Sequence, residues 1–158
     1  MIFVTVGTQD QNFSRLLIEV ERLIRIGVIC EPVIAQSGQT AFESDLMEVV
    51  ASIPIETFQN YLEQSQLVIT HGGVGTILSA LQLGKKTIAV PRQESYGEHE
   101  NNHQREIVEH FDQLGYIIGC NEVDQLQSAL TKAQAFEPEI YHSHNQVFCQ
   151  LMKNWIDA

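Results

Sequence analysis

The stretch that most constrains this chain is residues 67–76. Leu67, Val68, Ile69 and Thr70 form a run of apolar and β-branched residues without polar alternation. That is the pattern of a strand buried on both faces of a parallel sheet. The run ends at His71, and Gly72, Gly73, Val74 and Gly75 follow it. Thr76 then opens an amphipathic segment, Ile77 to Leu81, that stops at Gly84. Strand, glycine turn and helix start make one βα unit. Glycines let backbone N–H groups come close to a ligand. The helix start aims free N–H groups and the positive end of its dipole at the same point. Two readings of the turn stand: a phosphate or pyrophosphate site at the carboxyl end of a strand, or a tight turn with no ligand.

The same unit recurs along the chain. Periodicity predicts a strand over Ile2–Val6 and a helix over Phe13–Ile26 closed by Gly27. The pairs Arg15–Glu19 and Glu21–Arg25 lie on the outer face of that helix. Strands follow over Pro32–Gln36 and Glu48–Ile53, then a helix over Glu56–Ser65 with Phe58, Tyr61 and Leu62 on one face. Residues 39–47 carry no periodic pattern. After the central unit come a strand over Thr87–Val90 and a polar loop from Arg92 to Asn102. A helix over Asn102–Leu114 and a strand over Tyr116–Cys120 succeed them. Asn121 is expected to cap a helix over Glu122–Ala135, and a last helix spans Tyr141–Ile156. The apolar stripe of that last helix, with Phe148, Trp155 and Ile156, either packs on the chain's own sheet or awaits a partner.

Strands alternating with helices predict an α/β fold: a Rossmann-like doubly wound parallel sheet, one domain over residues 1–158. Three loops then fall at the carboxyl ends of strands, where such sheets bind ligands: Gly7–Asn12, His71–Thr76 and Arg92–Asn102. The chain has 158 residues, 9 Lys and Arg against 20 Asp and Glu, and a formal charge of −11. That balance argues against nucleic acid as a partner, since a nucleic-acid face must be basic. It also argues against electrostatic adsorption to anionic lipid. No apolar run approaches the roughly 18–20 residues that span a bilayer, so no direct membrane insertion is expected. The cysteines Cys30, Cys120 and Cys149 are odd in number and far apart, which reads as buried or partly buried thiols in a reducing compartment. The N-terminus lacks a basic segment followed by an apolar core, and the expected location is cytoplasmic.

Several residues are candidates for chemistry. His71 sits between a strand end and a helix start, where the dipole disfavours imidazolium. It reads either as a neutral hydrogen-bond donor to a phosphate or sugar oxygen, or as a turn histidine bonded to backbone. Residues Glu98 to Gln104 gather carboxylates, amides and two histidines, the groups that pair with sugar hydroxyls. His99 and His103 lie four apart, but no third metal ligand is evident and no metal site is assigned. A solvated helix start is the plain alternative for this loop. Nucleotide motifs of the G-x-G-x-x-G and Walker types, and the G-x-S-x-G nucleophile turn, do not occur, which excludes an ordinary nicotinamide site.

Three motifs in order carry a resemblance. The first is Ile2 to Thr8 followed by Phe13; the second is Ile69 to Thr76. The third runs from Lys85-Lys86 through Val90-Pro91-Arg92 to Glu98-His99-Glu100-Asn101 and His103-Gln104. Together they resemble the C-terminal domain of family 28 glycosyltransferases over residues 1 to about 120. The likeness is to free-standing versions of that domain, such as the small UDP-GlcNAc transferase subunit of the dolichol pathway and bacterial counterparts in capsule and exopolysaccharide synthesis. The resemblance implies the C-terminal half-domain of a GT-B enzyme that binds a UDP-sugar as donor substrate, with no cofactor. His71, Gly72, Gly73, Val74, Gly75 and Thr76 would hold the pyrophosphate. Gly7 and Thr8 would line the cleft floor. Arg92, Glu98, Glu100, Asn101, His103 and Gln104 would complete the substrate contacts, those from Glu98 onward toward ribose and sugar hydroxyls.

The implied reaction is inverting transfer of a hexose or N-acetylhexosamine to a lipid-linked acceptor in polysaccharide biosynthesis. A helix terminus supplies about 0.3–1 kcal/mol, up to about 2 when partly buried. Enzymes typically supply about 8 kcal/mol or more. The turn is therefore not the whole catalyst. No catalytic residue is assigned, and a membrane-associated, acceptor-binding subunit is the expected partner, recruiting the chain to the inner face of the membrane. Two other readings remain open: an interaction subunit that has lost donor binding, and a small enzyme active alone.

Overall fold

The computed structural model describes residues 1–142. Six parallel strands form one sheet in the order β3-β2-β1-β4-β5-β6. They are β1 Ile2–Thr5, β2 Val33–Gln36, β3 Glu48–Val50, β4 Leu67–Thr70, β5 Lys86–Ala89 and β6 Ile118–Gly119. Five helices accompany them: α1 Ser14–Arg25, α2 Ile55–Gln64, α3 Val74–Gln82, α4 His103–Gln113 and α5 Leu126–Ala133. β1 and β4 are wholly buried, as their uninterrupted apolar runs require. Strand order reverses between β1 and β4, which pair in register from Ile2 with Leu67 to Thr5 with Thr70. A crevice opens at the carboxyl end of such a pair, because the following chains leave toward opposite faces.

The two faces are packed differently. One carries the largest cluster, in which Phe13, Leu16, Leu17, Val20 and Leu23 of α1 and its entry, and Leu126 and Ala129 of α5, cover Val4, Ile69 and Ile88. On the other, α3 and α4 meet through Ile77, Leu81, Ile107, Val108 and Phe111. A smaller cluster seats Leu62 of α2 on Phe3 and Val68. Phe3 meets Phe58 edge-on with ring centroids 5.4 Å apart. The expected face of α2 is thus the buried one.

Local departures from expectation have simple causes. α3 begins at Val74, two residues before Thr76, because Gly73 at φ −74°, ψ 127° already serves as its N-cap. A 3-10 turn over Val123–Gln125 leads into α5, and Glu122, not Asn121, caps that turn through a reciprocal box with Gln125. Glu21 pairs with Arg25 as expected. Arg15 instead turns to Glu98, and Glu19 pairs with Arg22. Cys30 is exposed and Cys120 buried, with burial raising the Cys120 thiol pKa to about 12. The expected helix over Tyr141–Ile156 falls almost entirely outside the described residues.

Candidate functional site

The carboxyl ends of β1, β2 and β4 surround a cleft of about 350 Å³. Its polar wall comes from Gly7, Thr8 and Gln9 after β1 and from His71, Gly73, Gly75 and Thr76 after β4. Its floor carries Thr5 and Gln36, which are neighbours in the β1–β2 register. The opposite wall is apolar: Ile53 from the connection between β3 and α2, and Ile55 and Phe58 from the start of α2. Ile55 is 84% exposed, a large apolar side chain left open at the rim.

The floor is held by directed hydrogen bonds. The Gly7 N–H donates to Thr5 Oγ1 at 3.3 Å, and the Thr5 hydroxyl donates to Gln36 Oε1 at 2.7 Å. Above it, α3 starts without a side-chain cap. Its first-turn residues Gly75 and Thr76 line the cleft. An uncapped helix start carries free N–H groups and about half a positive charge. Such a start is suited to an anion.

His71 explains two of the glycines. A Cβ on Gly7 would lie 2.5 Å from His71 Nε2, and one on Gly73 would strike His71 Cε1. The imidazole fills the space that side chains at 7 and 73 would occupy. Gly7 has φ +80°, which also favours glycine. Gly72 serves a different neighbour, since a Cβ there would meet Gln104 Cβ at 2.8 Å. Gly75 alone of this turn opens on space, with nothing within 4 Å of a Cβ.

His71 is buried, and its pKa falls to about 4. The main cause is burial, then the nearby Arg92 guanidinium, opposed by the Gln104 side chain, which favours the protonated ring as an acceptor. The direction matches the expectation from sequence, and desolvation is its largest cause. The ring is therefore neutral at pH 7. Its Nδ1 is buried without a hydrogen-bond partner within the protein, and its backbone N–H is taken by Thr5 O at 3.1 Å.

The third loop departs most from expectation. Arg92 is fully buried. Its guanidinium donates to Val6 O at 2.7 Å, Gln11 O at 2.6 Å and Glu98 O at 3.0 Å. Glu98 is 3% exposed and receives Arg15 Nε at 2.9 Å and the Gln93 N–H at 3.1 Å. Gln104 Oε1 accepts the N–H groups of Gly72 at 3.1 Å and Arg92 at 3.0 Å. These three residues, expected on substrate, are spent on fixing loops to one another. The physical reason is burial: polar groups inside the protein must be satisfied there.

Glu100, Asn101 and His103 lie at the surface around the start of α4, with the His103 N–H donating to Asn101 Oδ1 at 3.0 Å. None of the three lines the cleft, and neither do Gly72 and Val74. Of the residues expected in the site, the structure brings together Gly7, Thr8, His71, Gly73, Gly75 and Thr76. Sequence reasoning missed Thr5, Gln9, Gln36, Ile53, Ile55 and Phe58. Gln36 ends a predicted strand beside β1, so its place at a strand's carboxyl end was a usable signal. Among the described residues no group of three His, Cys, Asp or Glu could hold a metal ion, and no helix is long and apolar enough to cross a membrane.

Known proteins resemble this chain in sequence and in fold. The chain is 31% identical over 81 residues to the UDP-N-acetylglucosamine transferase subunit ALG13 of Candida albicans, 51% of this chain and 26% of that one. To the Saccharomyces cerevisiae protein of the same name it is 33% identical over 92 residues, 57% of this chain and 44% of that one. The match thus spans less than half of either relative. The solution structure of ALG13 superposes with a TM-score of 0.57 at 22% identity, covering 99% of this chain and 96% of that one. The calicheamicin glycosyltransferase CalG4 superposes with a TM-score of 0.59 at 17% identity, covering 98% of this chain and 37% of that one. The fold is that of the C-terminal half of GT-B glycosyltransferases. The glycosyltransferase family 28 C-terminal domain matches residues 1–156, and this chain belongs to that family.

Proposed function

We propose that this chain is the donor-binding subunit of a two-component inverting glycosyltransferase that uses a UDP-sugar. The observation that carries the reading is the cleft at the β1–β4 reversal, with an uncapped helix start on one wall and an apolar shelf on the other. The helix start and the neutral His71 receive the diphosphate. The shelf of Ile53, Ile55 and Phe58 receives the flat base, whose faces are apolar. The volume of about 350 Å³ is within the range of small-ligand sites, about 300–1,000 Å³. The names of the relatives make UDP-N-acetylglucosamine the first donor to test.

In this reading the chain stabilises the leaving UDP as the glycosidic bond forms on the opposite face of the sugar. His71 is a poor general base, because it is buried and its pKa of about 4 lies far from the working pH. No carboxylate is among the described residues that line the cleft. The base and the acceptor site therefore belong to a second subunit. That subunit is membrane-associated and presents a lipid-linked acceptor, in N-glycan or exopolysaccharide synthesis, to this chain at the cytoplasmic face.

Calorimetry on the purified chain tests the reading. UDP and UDP-N-acetylglucosamine are expected to bind, and GDP-mannose is not. Absence of any UDP binding at several millimolar nucleotide would instead favour an interaction subunit that has lost its donor.

A further inference from the structure

The described side chains that line the cleft are all neutral. They are hydroxyls, amides, aliphatic groups, one phenyl ring and one imidazole. The imidazole stays neutral at pH 7, held so by its burial and by Arg92. Arg92 itself is wholly buried, and its donors are directed to the carbonyls of Val6, Gln11 and Glu98. Arg15 is paired with Glu98 and Glu122 and stacks on Tyr96 at 4.3 Å. The Arg92 donors are thus taken by backbone carbonyls, and Arg15 is held by two carboxylates. The whole chain carries a formal charge of −11.

A nucleoside diphosphate brings two or more negative charges to this cleft, and transfer adds charge to the leaving diphosphate. The helix start contributes partial charge only. A hard divalent cation seeks carboxylate oxygens, and the described lining offers none. Resting on the proposed function, we infer that the acceptor-binding partner completes the diphosphate site with a Lys or Arg side chain reaching over the rim of Thr8 and Gly75. The partner's contact face is accordingly basic where it meets this cleft. Donor binding and subunit assembly are then coupled, because each supplies what the other lacks.

The test compares UDP with uridine in EDTA, on the chain alone and on its complex with the subunit that co-purifies with it. The preference for UDP over uridine is expected to grow at least tenfold on complex formation. The gain should fall steeply with added salt and vanish on alanine substitution of one basic residue of the partner. A cation supplied in cis should mimic it: Thr8→Lys, at the exposed rim, should raise the preference at least fivefold in the isolated chain.

An equal preference in chain and complex overturns the inference, as does a gain seen only with added Mg2+. Loss of the gain in Lys153→Ala, the one lysine beyond the described residues, overturns it as well. In each of those cases UDP still binds and the proposed function stands. Failure of uridine and UDP alike to bind chain or complex removes the proposed function itself.

Discussion

Gln104 Oε1 accepts the backbone N–H of Gly72 at 3.1 Å, tying the start of α4 to the turn after β4. The same oxygen accepts the N–H of Arg92 at 3.0 Å. One side-chain carbonyl therefore sets the spacing of two strand-end loops. Gln104→Met keeps the volume and removes the acceptor, leaving two buried N–H groups unpaired at about 1–3 kcal/mol each. Stability should fall by about 2–4 kcal/mol in urea unfolding, and UDP affinity should fall with it. Gln104→Glu retains the acceptor and should recover most of both. Equal loss in the two variants would rule out the acceptor role.

Gly73 and Gly75 separate a structural glycine from an open one. A Cβ at 73 strikes the His71 ring, although the backbone there is in an ordinary extended conformation. Gly73→Ala should cost about 1–3 kcal/mol through displacement of the ring. Gly75→Ala meets nothing within 4 Å, and in a helix it should gain about 0.5–1 kcal/mol. If the amides at this turn hold a ligand, Gly75→Leu should weaken UDP binding without lowering the melting temperature. Unchanged UDP affinity in Gly75→Leu would place the ligand elsewhere.

The fold was readable because each layer of the sequence agreed with the next. The unbroken apolar runs at 2–6 and 67–70 became central strands. The spacing of Leu16, Leu17, Val20 and Leu23 became the buried face of α1. The site was readable only as far as the backbone defines it. Gly7, His71 and Gly73 lie at strand ends, and topology alone brings them together. Arg92, Glu98 and Gln104 are absent from the cleft lining and bond to neighbouring loops, because composition shows that a residue is polar and not which way it turns. Their partners lie up to 86 residues away, as for Arg92 and Val6. Ile53 and Phe58 were missed for the converse reason: as apolar residues they looked like core, and only the packing shows them facing the cleft.

His71 makes stability depend on pH. Its pKa is about 4 folded against 6.5 for the ordinary side chain, so the unfolded chain binds the proton more readily. The contribution is fully present above pH 6.5 and is lost as the pH falls toward 4. A shift of this size corresponds to about 3 kcal/mol. Unfolding in urea at pH 7.5 and pH 4.5 should show the loss, and His71→Gln should flatten that part of the profile. A His71 resonance titrating near 6.5 in the folded protein would contradict the assignment.

Arg15 and Glu98 join α1 to the loop before α4. The Arg15 side chain is 18% exposed and that of Glu98 is 3% exposed. Removing one partner of a buried pair costs about 3–5 kcal/mol. Arg15 keeps some contact with water, so Arg15→Met should cost nearer about 2 kcal/mol, screened little by salt. Glu98→Gln keeps an oxygen for the Gln93 N–H and should cost less. A difference below about 0.5 kcal/mol for Arg15→Met would class the pair with ordinary surface bridges.

The proposed function requires that the cleft at the β1–β4 reversal hold a UDP-sugar by its diphosphate. Backbone amide NMR on the chain, titrated with UDP, tests it most directly. Saturable shifts are expected at Gly7, Thr8 and His71 through Thr76, with a second cavity beside Ile29, Lys86 and Leu130 unmoved. Shifts confined to that second cavity, or none at several millimolar UDP, would contradict it.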